Sequence, residues 1–242
     1  MSLTQPLLAL AGIAAVHVAA HRLRFLDGTP RSVWLSLAGG ISLAYVFLHF
    51  MPELAHGQDL LAEEGAGLSW VEYELFGAAL VGLLAYYGLE RWVQEAEARR
   101  GRDPDEGHGV FWVHLASFAI YNAITGYLLV HRGGEEGHGG GLWPFAVAMA
   151  LHFLVTDYGL REGFADAWKR VGRWVLVAAL GLGFALGAAV ALPELAILTA
   201  IALLGGGMVL NVLKEELPEE RRSRFWALVL GAAGYAGLLA AA

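Results

Sequence analysis

Apolar residues run along this chain in blocks too long and too continuous for the surface helices of a soluble domain. Eight blocks approach or reach the roughly 17–25 residues that a helix needs to cross a bilayer. They are Pro6–His21, Val33–Met51, Val71–Trp92, Val110–Val130, Leu142–Leu160, Trp174–Leu192, Leu195–Leu213 and Phe225–Ala242. Only Pro193 and Glu194 separate the sixth from the seventh, which predicts a tight hairpin. The pattern predicts an all-α polytopic integral membrane protein, a single eight-helix domain over residues 1–242.

Composition agrees. Charged residues make up 16% of the chain, well below the roughly 25% of a soluble domain. Thirty-two glycines suit membrane helices, where this residue is more frequent than in soluble ones. The absence of cysteine excludes disulfides and thiolate metal sites, and a net charge of -7 gives no support to nucleic-acid binding. No basic stretch precedes the first apolar block, which argues against a cleaved signal peptide.

Charge placement predicts an orientation. Arg22, Arg24 and Arg31 follow the first block; Arg91, Arg99, Arg100 and Arg102 follow the third. Arg161, Lys169, Arg170 and Arg173 follow the fifth; Lys214, Arg221, Arg222 and Arg224 follow the seventh. Arg132 is the single basic residue on the opposite side. The positive-inside rule then puts the even number of spans in the plasma (bacterial inner) membrane with both termini extracytoplasmic.

Two segments repeat. "GGISLAYVFLHFMPE" begins at Gly39 and "GGGMVLNVLKEELPE" at Gly205; a shift of 166 residues superposes Gly39, Gly40, Pro52 and Glu53 on Gly205, Gly206, Pro218 and Glu219. The second and seventh blocks run in opposite directions under the predicted topology. That is the inverted repeat of many secondary transporters. Chance recurrence of glycine pairs and Pro-Glu helix ends is the alternative.

Strongly polar groups at bilayer depth cost about 2.5–3.5 kcal/mol on insertion scales, so they turn inward or face water. Tyr121, Asn122 and Thr125 sit mid-way along the fourth block, and His152, Thr156 and Asp157 along the fifth. A short loop joins these blocks, so antiparallel neighbours would bring both groups to one depth. Tyr121 shares a face with Thr125, and His152 with Thr156. Asp157 lies about 140° round from His152 and either reaches the same cavity from its edge or pairs with Arg161. The other reading is a bonded membrane histidine and a structural ion pair.

Two further groups are expected nearer the ends. His49, Glu53 and His56 recur at i, i+4 and i+7 around Pro52, a donor set that zinc-like ions accept, ahead of a loop holding Asp59, Glu63, Glu64, Glu72 and Glu74. Such an acidic mouth would concentrate cations, although a solvated loop would read the same way. His17 with His21, and Asn211 with Glu215 followed by Glu219, form pairs at the inner ends of the first and seventh blocks. These are an exit route or ordinary interfacial residues. The stretches 95–109 and 131–141 read as linkers.

The eight blocks, their orientation and "YVFLHFMPELA" with "GGGMVLNVLKEELPEE" resemble the ZIP family of zinc and iron permeases. The resemblance implies inward transport of a divalent metal such as zinc, iron, manganese or cadmium, as substrate and not as a resident cofactor. It also implies a metal site on the fourth and fifth helices, which maps to His152 and Asn122, with Thr125, Thr156 and Asp157 assisting. Here the sequence departs from the family. Tyr121 stands at the family's histidine, Thr125 at its carboxylate, Phe153 at an acidic position and Thr156 at the fifth, while Asp157 falls one residue late. A carboxylate-bridged two-metal centre is therefore absent, leaving at most one weakly held ion.

The expected function is a ZIP-like permease for a divalent metal or another small solute, working by alternating access and not as an enzyme. The alternative is a non-transporting relative that serves as a sensor, partner subunit or structural membrane protein. An intramembrane metal hydrolase would need three convergent ligands and a base; only His49, Glu53 and His56 offer a trio, with no evident base beside it. Partners are the bilayer and the solute, and glycine-rich faces such as "LGLGFALGAA" permit packing within one chain or in a homodimer.

Overall fold

The computed structural model describes residues 3–22, 32–64, 73–99, 106–132, 141–216 and 224–241. Among these, a helix occupies each of the eight apolar blocks. They are α1 (Thr4–Ala19), α2 (Val33–Tyr45, Val46–Phe50 and Met51–Glu64 in one run), α3 (Glu74–Arg99) and α4 (Glu106–Arg132). Then come α5 (Leu142–Gly163), α6 (Ala165–Ala189), α7 (Glu194–Glu216) and α8 (Phe225–Ala241). Four segments, Val33–Ala62, Phe111–Arg132, Ala165–Ala189 and Glu194–Lys214, are long and apolar enough to cross a membrane. Thr4–Ala19 and Phe225–Ala240 are apolar but shorter.

The bundle is apolar outside and encloses a set of polar side chains within an otherwise apolar core. Leu182, Ile120 and Trp34 are 71%, 64% and 60% exposed, while His17, Asn122 and Asp157 are completely buried. A soluble protein rarely shows so much contiguous apolar surface; with lipid as the outer solvent it carries no penalty. Helix length, composition and surface together point to a membrane location.

Several helices extend beyond their apolar blocks. α2 continues through Glu64, so Asp59, expected in a loop, stands on a helix. Leu54 and Leu61, two turns apart on that extension, are buried. Gln58 Oε1 accepts a hydrogen bond from the Leu75 N–H at 3.0 Å, satisfying one of the free donors in the first turn of α3. Packing therefore sustains a helix where hydropathy no longer does. The expected loop at 161–173 is likewise helical except at Phe164, and helices reach into the expected linker at 95–109. Glu72 lies outside the described residues, as do the side chains of Glu63 and Glu64.

Two helices contain a π turn, Val46–Phe50 in α2 and Trp168–Gly172 in α6. The first has a clear cause. Pro52 brings no N–H to the carbonyl of Leu48 and its ring crowds that oxygen, so the backbone widens just ahead of it.

Three helix pairs pack most closely: α4 with α6, α3 with α7, and α2 with α8. Each contact is reciprocal, one glycine from each helix pressing on the partner's backbone. Gly40 meets Leu228 and Gly231 meets Leu37; Gly82 meets Leu203 and Gly206 meets Ala79; Gly126 meets Leu180 and Gly183 meets Ala123. Exchanging α2 for α7 and α8 for α3 leaves this pattern unchanged.

The connection between α6 and α7 is short, as the Pro-Glu dipeptide predicted, and Tyr127 secures it. The Tyr127 hydroxyl accepts the Leu192 N–H at 2.8 Å and lies 3.3 Å from the Val190 carbonyl. Tyr127→Phe is expected to lower stability by about 1 kcal/mol in a detergent unfolding titration, with helix content unchanged. Water can replace this partner at the half-open Leu192, which keeps the loss small.

Candidate functional site

The residues singled out at mid-helix do converge, but around His17 of α1, which the sequence had assigned to the inner exit. α4 and α5 touch sparsely, and α1 packs extensively against α5. Its His17 stands between the two: Nδ1 is 2.8 Å from Asp157 Oδ2 on α5, and Nε2 is 2.8 Å from Asn122 Oδ1 on α4. His17 thus belongs to the central layer and not to an inner exit. Asp157 pairs with His17 and not with Arg161, whose guanidinium reaches the Ala20 carbonyl and stacks over Tyr158. The side chain of His21 lies outside the described residues.

Thr156 and Asn211 form a second strand of the same layer. The Tyr86 hydroxyl donates to Asn211 Oδ1 at 2.7 Å, and Asn211 Nδ2 donates to Thr156 Oγ1 at 3.1 Å. Thr156 Oγ1 in turn bonds the His152 carbonyl at 3.0 Å. Asn211 is therefore tied to mid-bundle and is not part of a separate exit, while the Glu215 side chain and Glu219 lie outside the described residues. Thr125 turns back on its own helix, its hydroxyl donating to the Tyr121 carbonyl at 3.0 Å.

His152 and Tyr121 face each other across α5 and α4, their ring centres 5.5 Å apart. The Tyr121 hydroxyl donates to the Leu204 carbonyl at 3.2 Å. His152 is 3% exposed, and among the described residues its Nδ1 has no hydrogen-bond partner. Asp157 Oδ1 is the other such atom in the layer. Buried polar atoms without partners are uncommon in folded proteins and call for an explanation.

A narrow cavity of about 20 Å³ lies in the seam between α2, α4, α5 and α7, enough for about one water molecule. Its lining includes Tyr121 at one end and Arg132 at the other, with Leu128, Phe145 and Met149 between. Arg132 sits eleven residues beyond Tyr121 on α4, about 16 Å along the axis. Arg132 is 4% exposed. Its Nη2 donates to both Glu53 oxygens, at 2.5 and 2.6 Å, and its guanidinium lies 4.6 Å from the Phe145 ring centre.

That pairing replaces the expected metal stripe. Glu53 is taken by Arg132; His49 stacks on Tyr45 at 5.0 Å and stands 4.0 Å from Glu53; His56 is exposed. The π turn takes more residues per turn than an α-helix, so it slips the i, i+4, i+7 register between His49 and His56. Among the described residues no three His, Asp or Glu side chains converge on a point where a metal ion could be held.

A third pair, missed in the sequence, lies beyond Tyr86. Lys214 Nζ donates to Glu90 Oε2 at 2.6 Å, and His114 Nε2 is 3.7 Å from the same oxygen. Its signal was an acid inside the third apolar block. Asp157, Glu53 and Glu90 are thus all matched with a basic side chain. With these carboxylates matched, the layer offers little to balance a divalent ion in low dielectric; Asn122 and Asp157 both bond His17, contrary to the expected metal ligation. Neither the protein-family models nor the curated proteins compared with this chain match it.

Proposed function

We propose that the chain is a ZIP-like permease that carries a small solute through the bundle by alternating access. All eight helices would span the plasma (bacterial inner) membrane, with both termini outside. The observation that carries this reading is His152: a buried imidazole whose Nδ1 has no partner among the described residues, its ring 5.5 Å from that of Tyr121, which lines the seam cavity. In a purely structural layer that atom would be bonded. His152 and Tyr121 would contact the solute. The exchange symmetry of helix pairing supports an inverted repeat that relates α2 to α7 and α3 to α8, which gives alternating access its two equivalent states.

The matched carboxylates favour a small polar solute over a chelated divalent metal. The test is flux into proteoliposomes from a panel of zinc, manganese, ferrous iron, urea and glycerol. His152→Ala is expected to reduce uptake of the active solute at least tenfold while elution and helix content stay those of the parent. Zinc or manganese uptake would restore the metal reading; no uptake of any solute would end the permease reading. The second reading, a non-transporting relative, is favoured by the lack of a three-ligand group among the described residues. It predicts no thermal stabilisation by any panel member, because a ligand that binds only the folded state must raise stability.

A further inference from the structure

We propose that His17, Asp157 and Asn122 form a proton-binding site, loaded in this conformation. The argument is hydrogen-bond inventory. Asn122 Nδ2 donates to the Phe118 carbonyl at 2.9 Å, which fixes the amide and turns its Oδ1 toward His17. An amide oxygen can only accept, so His17 Nε2 must carry a hydrogen. On the other side Nδ1 meets a carboxylate oxygen at 2.8 Å, a contact that also requires a hydrogen. Neutral imidazole plus ionised carboxylate holds one hydrogen too few. The additional proton therefore lies between Nδ1 and Oδ2, and the pair is electrically neutral overall.

Burial makes the proton's presence consequential. Both side chains are fully buried, so removing it leaves a carboxylate facing an imidazole lone pair with no water to solvate either. The other groups nearby do not neutralise it. From α5, His152 is a turn away and Arg161 is engaged at Ala20; from α4, Tyr121 is bonded to Leu204. α6 has no titratable side chain between Trp174 and Ala189. His17 joins three helices, so losing the proton would loosen α1 from α4 and α5 together. A cycle that rocks these helices would bind the proton in one state and release it in the other.

The proton's role as coupling ion rests on the permease reading; its presence does not. Full-length chain labelled with 15N-histidine, in lipid nanodiscs at pH 8, tests the presence. An ordinary exposed imidazole holds its second proton less than about one time in thirty there. The expected spectrum shows one imidazole with both nitrogens protonated or, if the proton rests on oxygen, a protonated-carboxyl infrared band. Either signal disappears in Asp157→Asn and in His17→Gln. Absence of both from the parent protein overturns the site, as does persistence in both variants, and the first outcome needs no variant to fold. Proteoliposomes with a trapped pH dye, given zinc chloride or glycerol, test the role. One proton per solute supports up to about tenfold accumulation per pH unit, lost in Asp157→Asn. Solute flux without proton movement overturns coupling, whereas no flux at all sinks the permease reading and leaves the spectra to decide on the proton.

Discussion

Arg132→Ala is expected to destabilise the protein by about 3–5 kcal/mol, the range for removing one partner of a buried ion pair. Arg132 is 4% exposed and Glu53 only partly open, so the carboxylate left behind would lose its guanidinium counter-charge with little water to replace it. Glu53→Ala is expected to cost a similar amount because it removes the counter-charge of a guanidinium buried against Phe145. The double replacement Arg132→Met with Glu53→Met is expected to recover most of that loss, since an apolar pair of like volume removes the desolvation cost together with the attraction. Unfolding in detergent, read as a double-mutant cycle, would give a coupling energy of several kcal/mol. Additive single effects would show that the two side chains do not act as a pair. The functional consequence is separate: the pair caps the seam cavity, so the double variant should be stable yet leaky to small solutes.

The helices were legible because hydropathy is a local property. An uninterrupted apolar block such as Leu195–Leu213 needs no tertiary information to be read as α7. The same property fails past the apolar edge. Residues 57–64 are polar on average, yet Leu54, Leu61 and the Gln58 cap hold them in helix, and only the packed neighbours reveal that. The proximity of His152 to Tyr121 was legible from depth along two helices. The bridge through His17 was not, because contacts spanning 105 and 140 residues leave no trace in spacing. Arg132 had announced itself as the lone basic residue among the loops that the charge pattern assigns to the outer side. What the sequence lacked was its partner, and Glu53 had been read as a metal donor instead.

These pairs share one logic. Asp157, Glu53 and Glu90 are each bound to a base contributed by a different helix: Asp157 by α1, Glu53 by α4, Glu90 by α7. In hydrocarbon such links are weak sources of net stability but costly to break, so they fix which helices neighbour which. Moving one helix against another must exchange or release them. The apolar contacts between helices therefore have to supply most of the stability, and they do so by close approach.

That places the other large effect at the reciprocal glycines. Gly183→Leu is expected to prevent stable folding, and Gly183→Ala to cost at least the upper end of the roughly 1–3 kcal/mol typical of overpacking. A methyl group at Gly183 would overlap the Ala123 carbonyl, a backbone atom that can yield only if the α4 and α6 axes move apart. Separation would also break the matching contact of Gly126 on Leu180. The gain of about 0.5–1 kcal/mol from alanine's better helix propensity is too small to compensate. Gly181, two residues away on α6, provides the control, because nothing lies within 4 Å of a methyl group built there. Gly181→Ala should be neutral or slightly stabilising. Gly206→Ala should repeat the loss at the α3–α7 contact, where the methyl meets the Ala79 carbonyl. Thermal unfolding of the three variants in one detergent makes the comparison; equal melting temperatures for Gly183→Ala and Gly181→Ala would mean that backbone contact is not what holds these helices together.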